Sequence, residues 1–192
     1  MAVRRALFQD GRPTKRSRTT INRVVTRAIS ARQETKLKRT AGVFLSNPTV
    51  GTNLELNALS TGPDNGERIG NRIRNLRLTG QLVCVGTGAV RVILYCPKSP
   101  QASINTATRF SSIDNTDFWV LHDKVYGTGI NTNPTQVITM NLNKKTNFHT
   151  FWGSASSNDF QRNPIKCFIT SDVQGGTAGT VEGHFNLYYK DS

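Results

Sequence analysis

The chain has 192 residues, 36% of them hydrophobic, and its 25 Lys and Arg against 12 Asp and Glu leave a formal net charge of +13. That length suits one ordinary domain with or without an appendage, and the apolar content is too high for a wholly disordered chain. There is no run of about 18 apolar residues, no apolar stretch of the kind a secretory signal needs near the N-terminus, and three cysteines give an odd count; the composition speaks against a membrane-spanning helix, a secreted disulfide scaffold and an acidic solvating chain.

The charge is concentrated at one end. Residues 1–40 carry twelve basic side chains, Arg4, Arg5, Arg12, Lys15, Arg16, Arg18, Arg23, Arg27, Arg32, Lys36, Lys38 and Arg39, against Asp10 and Glu34, a net of +10. Residues 41–192 net only +3. Residues 9–20 mix Gly, Pro, Ser and Thr with cations and have no apolar period, so they are expected to be disordered in isolation. Over 20–38, Ile21, Val24, Val25, Ala28 and Ile29 follow a helical period that Thr19 or Thr20 can cap, which predicts a short helix needing a partner surface. Arginine forks in a flexible arm suit phosphate, and with no aromatic between Phe8 and Phe44 the expected mode is backbone binding without base readout. Membrane binding fits less well, because the apolar face lacks bulky anchors. The run Arg12, Lys15, Arg16, Arg18 is also compatible with nuclear import, a weak signal by itself.

Beyond residue 41, alternating apolar runs between turn signals predict strands near 50–59, 72–85, 89–96, 117–126, 136–144, 147–152, 164–172 and 179–189. An irregularity is expected near Asn75, where the alternation of Ile73, Leu76, Leu78 and Leu82 loses step. Eight strands without long helices between them predict an all-β sandwich or barrel, and an eight-stranded jelly roll has this count. The domain division is therefore a basic arm over 1–40 and a β body over 41–192. The link 97–116 and the loop 127–135 are expected on the surface; Trp119, Phe151 and Trp152 are candidate contact anchors, with core packing the favoured role.

Catalytic motifs are missing. The chain has no phosphate-binding G-x-x-x-x-G-K-[ST], no G-x-S-x-G and no H-E-x-x-H. His122, His149 and His184 are too scattered for a ligand set, and Cys84, Cys96 and Cys167 read as small buried hydrophobes. Asp114, Asp117 and Asp123 are the weak candidates for a structural Ca²⁺ or Mg²⁺, with solvated turn carboxylates the favoured role. No other cofactor is expected, and no enzymatic activity.

Three stretches, Gly66-Glu67-Arg68-Ile69-Gly70-Asn71-Arg72-Ile73, Val90-Arg91-Val92-Ile93-Leu94-Tyr95 and His184-Phe185-Asn186-Leu187-Tyr188-Tyr189-Lys190-Asp191, follow the basic arm in an order that resembles the single jelly-roll capsid proteins of circular Rep-encoding single-stranded DNA viruses and of satellite tobacco necrosis virus-like coats. The resemblance implies strands B to I in two four-stranded sheets, assembly with copies of itself into a small icosahedral (T=1) shell of 60 subunits, and arms lying against packaged single-stranded nucleic acid. It implies location in the virion, and passage through the host nucleus with nuclear import factors as partners. Sixty arms carry about 600 positive charges, enough to neutralise a large share of a genome of about one to a few kilobases. The alternatives are a nucleic-acid-binding β-barrel that does not assemble, with Phe118, Trp119 or Tyr126 as stacking platforms, and a nuclease resting on the three aspartates.

Overall fold

A computed structural model describes residues 8–9, 12–13, 24, 34–45, 51–85, 89–108, 110–126, 137–171 and 180–192. The chain divides into two compact units, Met1–Glu34 and Thr35–Ser192. In the first, β1 (Phe8–Gln9) and β2 (Arg12–Pro13) form a two-residue antiparallel ladder. Most of the helix expected over 20–38 lies outside the described residues, and its C-terminal end is strand.

The second unit is built from β3 (Lys36–Leu45), β4 (Thr52–Glu55), β5 (Arg72–Val85), β6 (Val90–Pro97), β7 (Phe118–Tyr126), β8 (Val137–Trp152), β9 (Phe160–Arg162), β10 (Lys166–Ser171) and β11 (Thr180–Asp191). They form two antiparallel sheets, of order β3-β11-β5-β8-β9 and β4-β10-β6-β7. Lettering the eight longer strands B to I in chain order, with β9 left out, turns these orders into B-I-D-G and C-H-E-F. That is the jelly-roll sandwich, with β9 as a short fifth strand beside G.

Four strand assignments differ from the sequence expectation, the unexpected short β9 among them. The edge strand β3 falls in a stretch assigned to the arm and the start of the body. Its Lys36, Lys38 and Arg39 are the charged residues that edge strands carry to discourage further pairing, and by composition alone they look like more arm. The two strands expected at 136–144 and 147–152 are one, β8, which passes through Asn147 at φ +21 without breaking. The strand near 50–59 is shorter, and Leu56 and Leu59 are buried beyond its end.

The irregularity near Asn75 is present, with register shifts between Asn75 and Arg77 against β8, and between Tyr188 and Tyr189 against β11. One extra residue in β5 changes the parity of its buried face from Ile73 and Asn75 to Leu78, Leu82 and Cys84. From the five-stranded sheet, Leu78, Leu82, Phe185 and Leu187 fill the core; from the four-stranded sheet, Val92, Leu94, Cys167 and Ile169 meet them.

A buried polar network joins the sheets beside the bulge. Thr150 Oγ1 accepts from Asn57 Nδ2 (2.9 Å) and Asn75 Nδ2 (2.8 Å) and donates to the Asn163 carbonyl (2.8 Å), while Asn57 Oδ1 accepts the Ile165 N–H at 2.8 Å. Removing these side chains from water is tolerable because each makes at least one such bond, although Asn75 Oδ1 is buried without a partner among the described residues.

β6 is buried along its whole length, which requires cover on both faces. Its second face, Ile93 and Tyr95 with Phe168 of β10, lies under the link 98–117, whose Ile104 and Ile113 close a second apolar cluster. Arg91 fastens that cover: it pairs with Asp123 at 2.6 Å and donates to the Ser111 carbonyl at 2.7 Å. The link expected to be exposed is thus partly a lid over the sheet.

Arg68 is fully buried. Its guanidinium lies 4.5 Å from the Trp152 ring centroid and donates to the carbonyls of Leu59, Gly70, Ser154 and Ser156 and to Asn71 Oδ1. Five oxygens are gathered on one cation, three from residues close to it in sequence and two from Ser154 and Ser156, 86 and 88 positions on.

Candidate nucleic-acid interface

The outward positions of the five-stranded sheet collect cations in rungs. One rung reads Lys190, Arg74, His149 across β11, β5 and β8; the next reads Tyr188, Arg77, Lys145. A third crosses Arg39, Asn186, Thr79 and Asn143, and at the sheet's far corner Arg72 and Arg162 flank Phe151. Neighbouring strands stand about 4.8 Å apart, so these charges adjoin one another. Arg39, Arg72, Arg74, Arg77, Lys145 and Arg162 are exposed. Among the described residues, Glu182 is the carboxylate at an outward position of this sheet, and it sits at the opposite end, between Val43 and Val83.

Two of the arginines are aimed by neutral partners. Asn147 Oδ1 accepts from Arg74 Nε (3.1 Å) and Nη2 (2.7 Å), and Asn143 Oδ1 accepts from Arg77 Nε at 2.7 Å. An amide orients a guanidinium without cancelling its charge, so the face keeps its field. Arg72 lies 5.7 Å from the Phe151 ring centroid.

His149 registers the field. Its pKa is lowered, first by burial and then by Arg72 and Arg74. His122, on β7 with Nε2 3.0 Å from Tyr126 Oη, is also lowered, first by burial and then by Lys144 and Lys124. Both resist protonation in the fold, so the unfolded chain takes up more protons as pH falls through the ordinary histidine range near 6.5. Stability is therefore expected to hold above about pH 6.5 and to fall below it. Thermal melts at about pH 7.5 and 5.5 check this: the double substitution His122→Gln, His149→Gln should narrow the gap between the two midpoints. An unchanged gap would assign the acid loss to other groups.

Of the arm cations, Arg4, Arg5, Lys15, Arg16, Arg18, Arg23, Arg27 and Arg32 lie outside the described residues, and Arg12 is placed only as backbone of β2. Lys36 is engaged in the body: it pairs with Asp191 at 3.0 Å and donates to the Glu67 carbonyl at 3.1 Å. Lys38 is half-buried, and Arg39 joins the exposed face.

The aspartate trio does not converge. Asp123 is bound by Arg91 in a two-point pair of 2.8 and 2.6 Å, while Asp114 Oδ1 caps the Thr116 N–H at 2.8 Å, a bond that lowers its pKa. Among the described residues no three His, Cys, Asp or Glu side chains are grouped to hold a metal ion. The three histidines lie on three strands. All three cysteines are free and buried, and burial raises their thiols, Cys96 to about 12. Cys96 also lines an apolar pocket of about 350 Å³ with Trp119, Leu121, Phe148 and Asn163, where a thiol that stays protonated is no nucleophile. Trp152 is core, as favoured; Trp119 is 53% exposed.

A net charge summed over 41–192 hides the sheet face. The signal was there: Arg72 and Arg74 alternate with Ile73, and Arg77 precedes Leu78, so the cations share one side of a strand whose other side is apolar.

No family model matches the chain, and no curated protein does. Among solved structures it is similar to a chain of Desmodium yellow mottle tymovirus, with 11% identity and a TM-score of 0.36 over 82% of this chain and 89% of that one. It is also similar to chains of infectious bursal disease virus: the Gx strain (11% identity, TM-score 0.30) and the VP2 subviral particle (10%, 0.27). The alignments with these two take in 82% of this chain and about a third of theirs. Among the described residues no helix is long and apolar enough to cross a membrane.

Proposed function

We propose that the chain is the subunit of a small closed shell that packages single-stranded nucleic acid through its basic arm. The carrying observation is the density of charge: residues 1–34 hold nine basic side chains against two acidic ones, a net of +7, whereas the jelly-roll unit of 158 residues nets +6. A polyphosphate satisfies such an arm without base-specific contacts, and release of condensed counterions supplies the free energy. The body supports assembly by its shape, since a sandwich presents edges and end loops to neighbours, and by the apolar groups Val43, Ile69, Trp119 and Val125 that it leaves exposed. The resemblance of the three stretches to jelly-roll coats of circular single-stranded DNA viruses extends the proposal to a circular DNA genome, a 60-subunit shell, a virion location and nuclear import through Arg12, Lys15, Arg16 and Arg18.

The test uses purified full-length protein. Uniform particles in electron micrographs and light scattering, with a high 260/280 nm absorbance ratio in the same fraction, are expected. Replacing Arg4, Arg5, Arg12, Lys15, Arg16 and Arg18 by Gln should lower the slope of log affinity for single-stranded DNA against log salt by about 4, at about 0.7 per cation. A chain that stays monomeric with and without single strands overturns the shell. An arm variant that binds with the parent's slope overturns the role of the arm.

A further inference from the structure

We propose that the outward face of the five-stranded sheet is a second binding site for single-stranded nucleic acid, with Arg39, Arg74, Arg77 and Lys145 on the phosphates and Tyr188 and Phe151 beneath the bases. The proposal rests on the reading that the chain packages nucleic acid, and it places part of that contact on the folded body.

Charge complementarity identifies the occupant. The rungs bring cations from four strands onto one surface, and the outward carboxylate of the sheet stands at the other end. Three of the six groups named are arginines, whose planar forks match phosphate oxygens, and two of these are already held by Asn147 and Asn143. Holding a side chain in place before the ligand arrives reduces the entropy lost on binding. The neutral partners matter here. Had Asn143 and Asn147 been aspartates, the same geometry would make closed ion pairs with little charge left for a ligand.

The aromatics favour a single strand over a duplex. Tyr188 lies between Leu37 and Arg77 across the ladder, and Phe151 lies between Arg72 and Arg162. Both residues are half-buried, so each ring is supported from below and partly open, with the Arg72 guanidinium 5.7 Å from the Phe151 centroid. Unpaired bases stack on such surfaces with little preference for sequence, whereas a duplex keeps its bases inside and offers only its backbone. The arm offers no run of such surfaces, having no aromatic between Phe8 and Phe44. Arm and sheet therefore divide the contact: the arm neutralises charge, and the sheet adds stacking.

The closing experiment uses the full-length chain and a 40-nucleotide mixed-sequence single-stranded DNA, with affinity followed by fluorescence anisotropy from about 50 to 200 mM salt. Three exposed cations are neutralised together, Arg74→Gln, Arg77→Gln and Lys145→Gln, and a melting curve checks the fold. The salt slope is expected to fall by about 2, so that the loss of affinity across that salt range shrinks by about twentyfold. Tyr188→Leu with Phe151→Leu is expected to weaken binding while leaving the slope unchanged, because stacking releases no counterions.

An unchanged slope in the three-cation variant, with the arm variant losing its own share, overturns the sheet site and leaves the arm's role standing. The reverse pattern overturns the arm and keeps the sheet. Equal competition by a duplex of the same length removes the single-strand assignment. If vesicles of phosphatidylserine and phosphatidylcholine lose binding in the three-cation variant while DNA affinity is untouched, the face is a membrane-contact surface and the proposal fails.

Discussion

Replacing Arg68 by methionine is expected to cost about 3–5 kcal/mol of folding free energy, read as a shift in the midpoint of chemical denaturation. Methionine fills much of the volume but donates nothing, so the oxygens of Leu59, Gly70, Asn71, Ser154 and Ser156 lose their common donor. The Leu59 carbonyl, a buried acceptor, costs about 1–3 kcal/mol when left unpaired and the four part-buried acceptors less each, offset in part because a cation no longer has to be desolvated. That desolvation is real here: burial lowers the Arg68 pKa, with the nearby Asp159 charge acting in the opposite direction. Domains are stable by about 5–15 kcal/mol in total, so the variant should approach the threshold of folding. Lysine should fail almost as badly, since one ammonium cannot reach five oxygens spread around a planar fork. A loss below about 1 kcal/mol would mean that the loops 59–70 and 154–156 are held together by something other than this side chain.

The second large effect is expected at Gly183 in β11. Its φ is +148, and a Cβ built there would stand 2.1 Å from the Gln81 carbonyl oxygen and 2.9 Å from Leu82 Cα. Both obstacles are backbone of the neighbouring strand β5, so no rotamer change relieves the clash. Gly183→Ala should therefore separate β11 from β5 locally and cost at least about 3 kcal/mol. A control lies directly across the ladder. Gly42 has φ +150 but nothing within 4 Å of its would-be Cβ, so Gly42→Ala carries the backbone strain alone, about 1–3 kcal/mol. The difference between the two melting temperatures isolates the clash. Equal losses would show that the β5–β11 spacing at Gly183 is less tight than described.

What the sequence made legible follows the range of the forces involved. Alternation along a strand is local, so β5, β6, β7, β10 and β11 were placed nearly to the residue, and so was the bulge by Asn75. β3 escaped because an edge strand and a basic tail draw on the same residues; the pairing of Lys36 with Tyr189 is a fact about partners 153 positions apart. Arg68 escaped for a related reason. In the sequence it is one more cation in a turn, and only Ser154 and Ser156, 86 and 88 residues on, make its burial possible. The aspartates show the converse: close along the chain, they do not converge, since Arg91 claims Asp123 while Asp114 is a turn carboxylate, the role favoured for it. A sum over residue ranges cannot show the rungs of β5, β8 and β11, because a sheet sorts charge by side.

The fastening of Lys36 bears on how the fold carries load. If the arm holds a polymer as proposed, any pull on it reaches the body at the first residues of β3. Tension along the strand strains its ladder with β11 in shear, where the bonds share the force. Tension across the sheet would open the ladder bond by bond like a zipper, starting at Lys36. That starting point is reinforced: Lys36 is clamped to Asp191 and the Glu67 carbonyl, and the Leu37 N–H to Asn65 Oδ1 at 2.8 Å. The reinforcement sits where such a crack would begin, at the edge of the sheet.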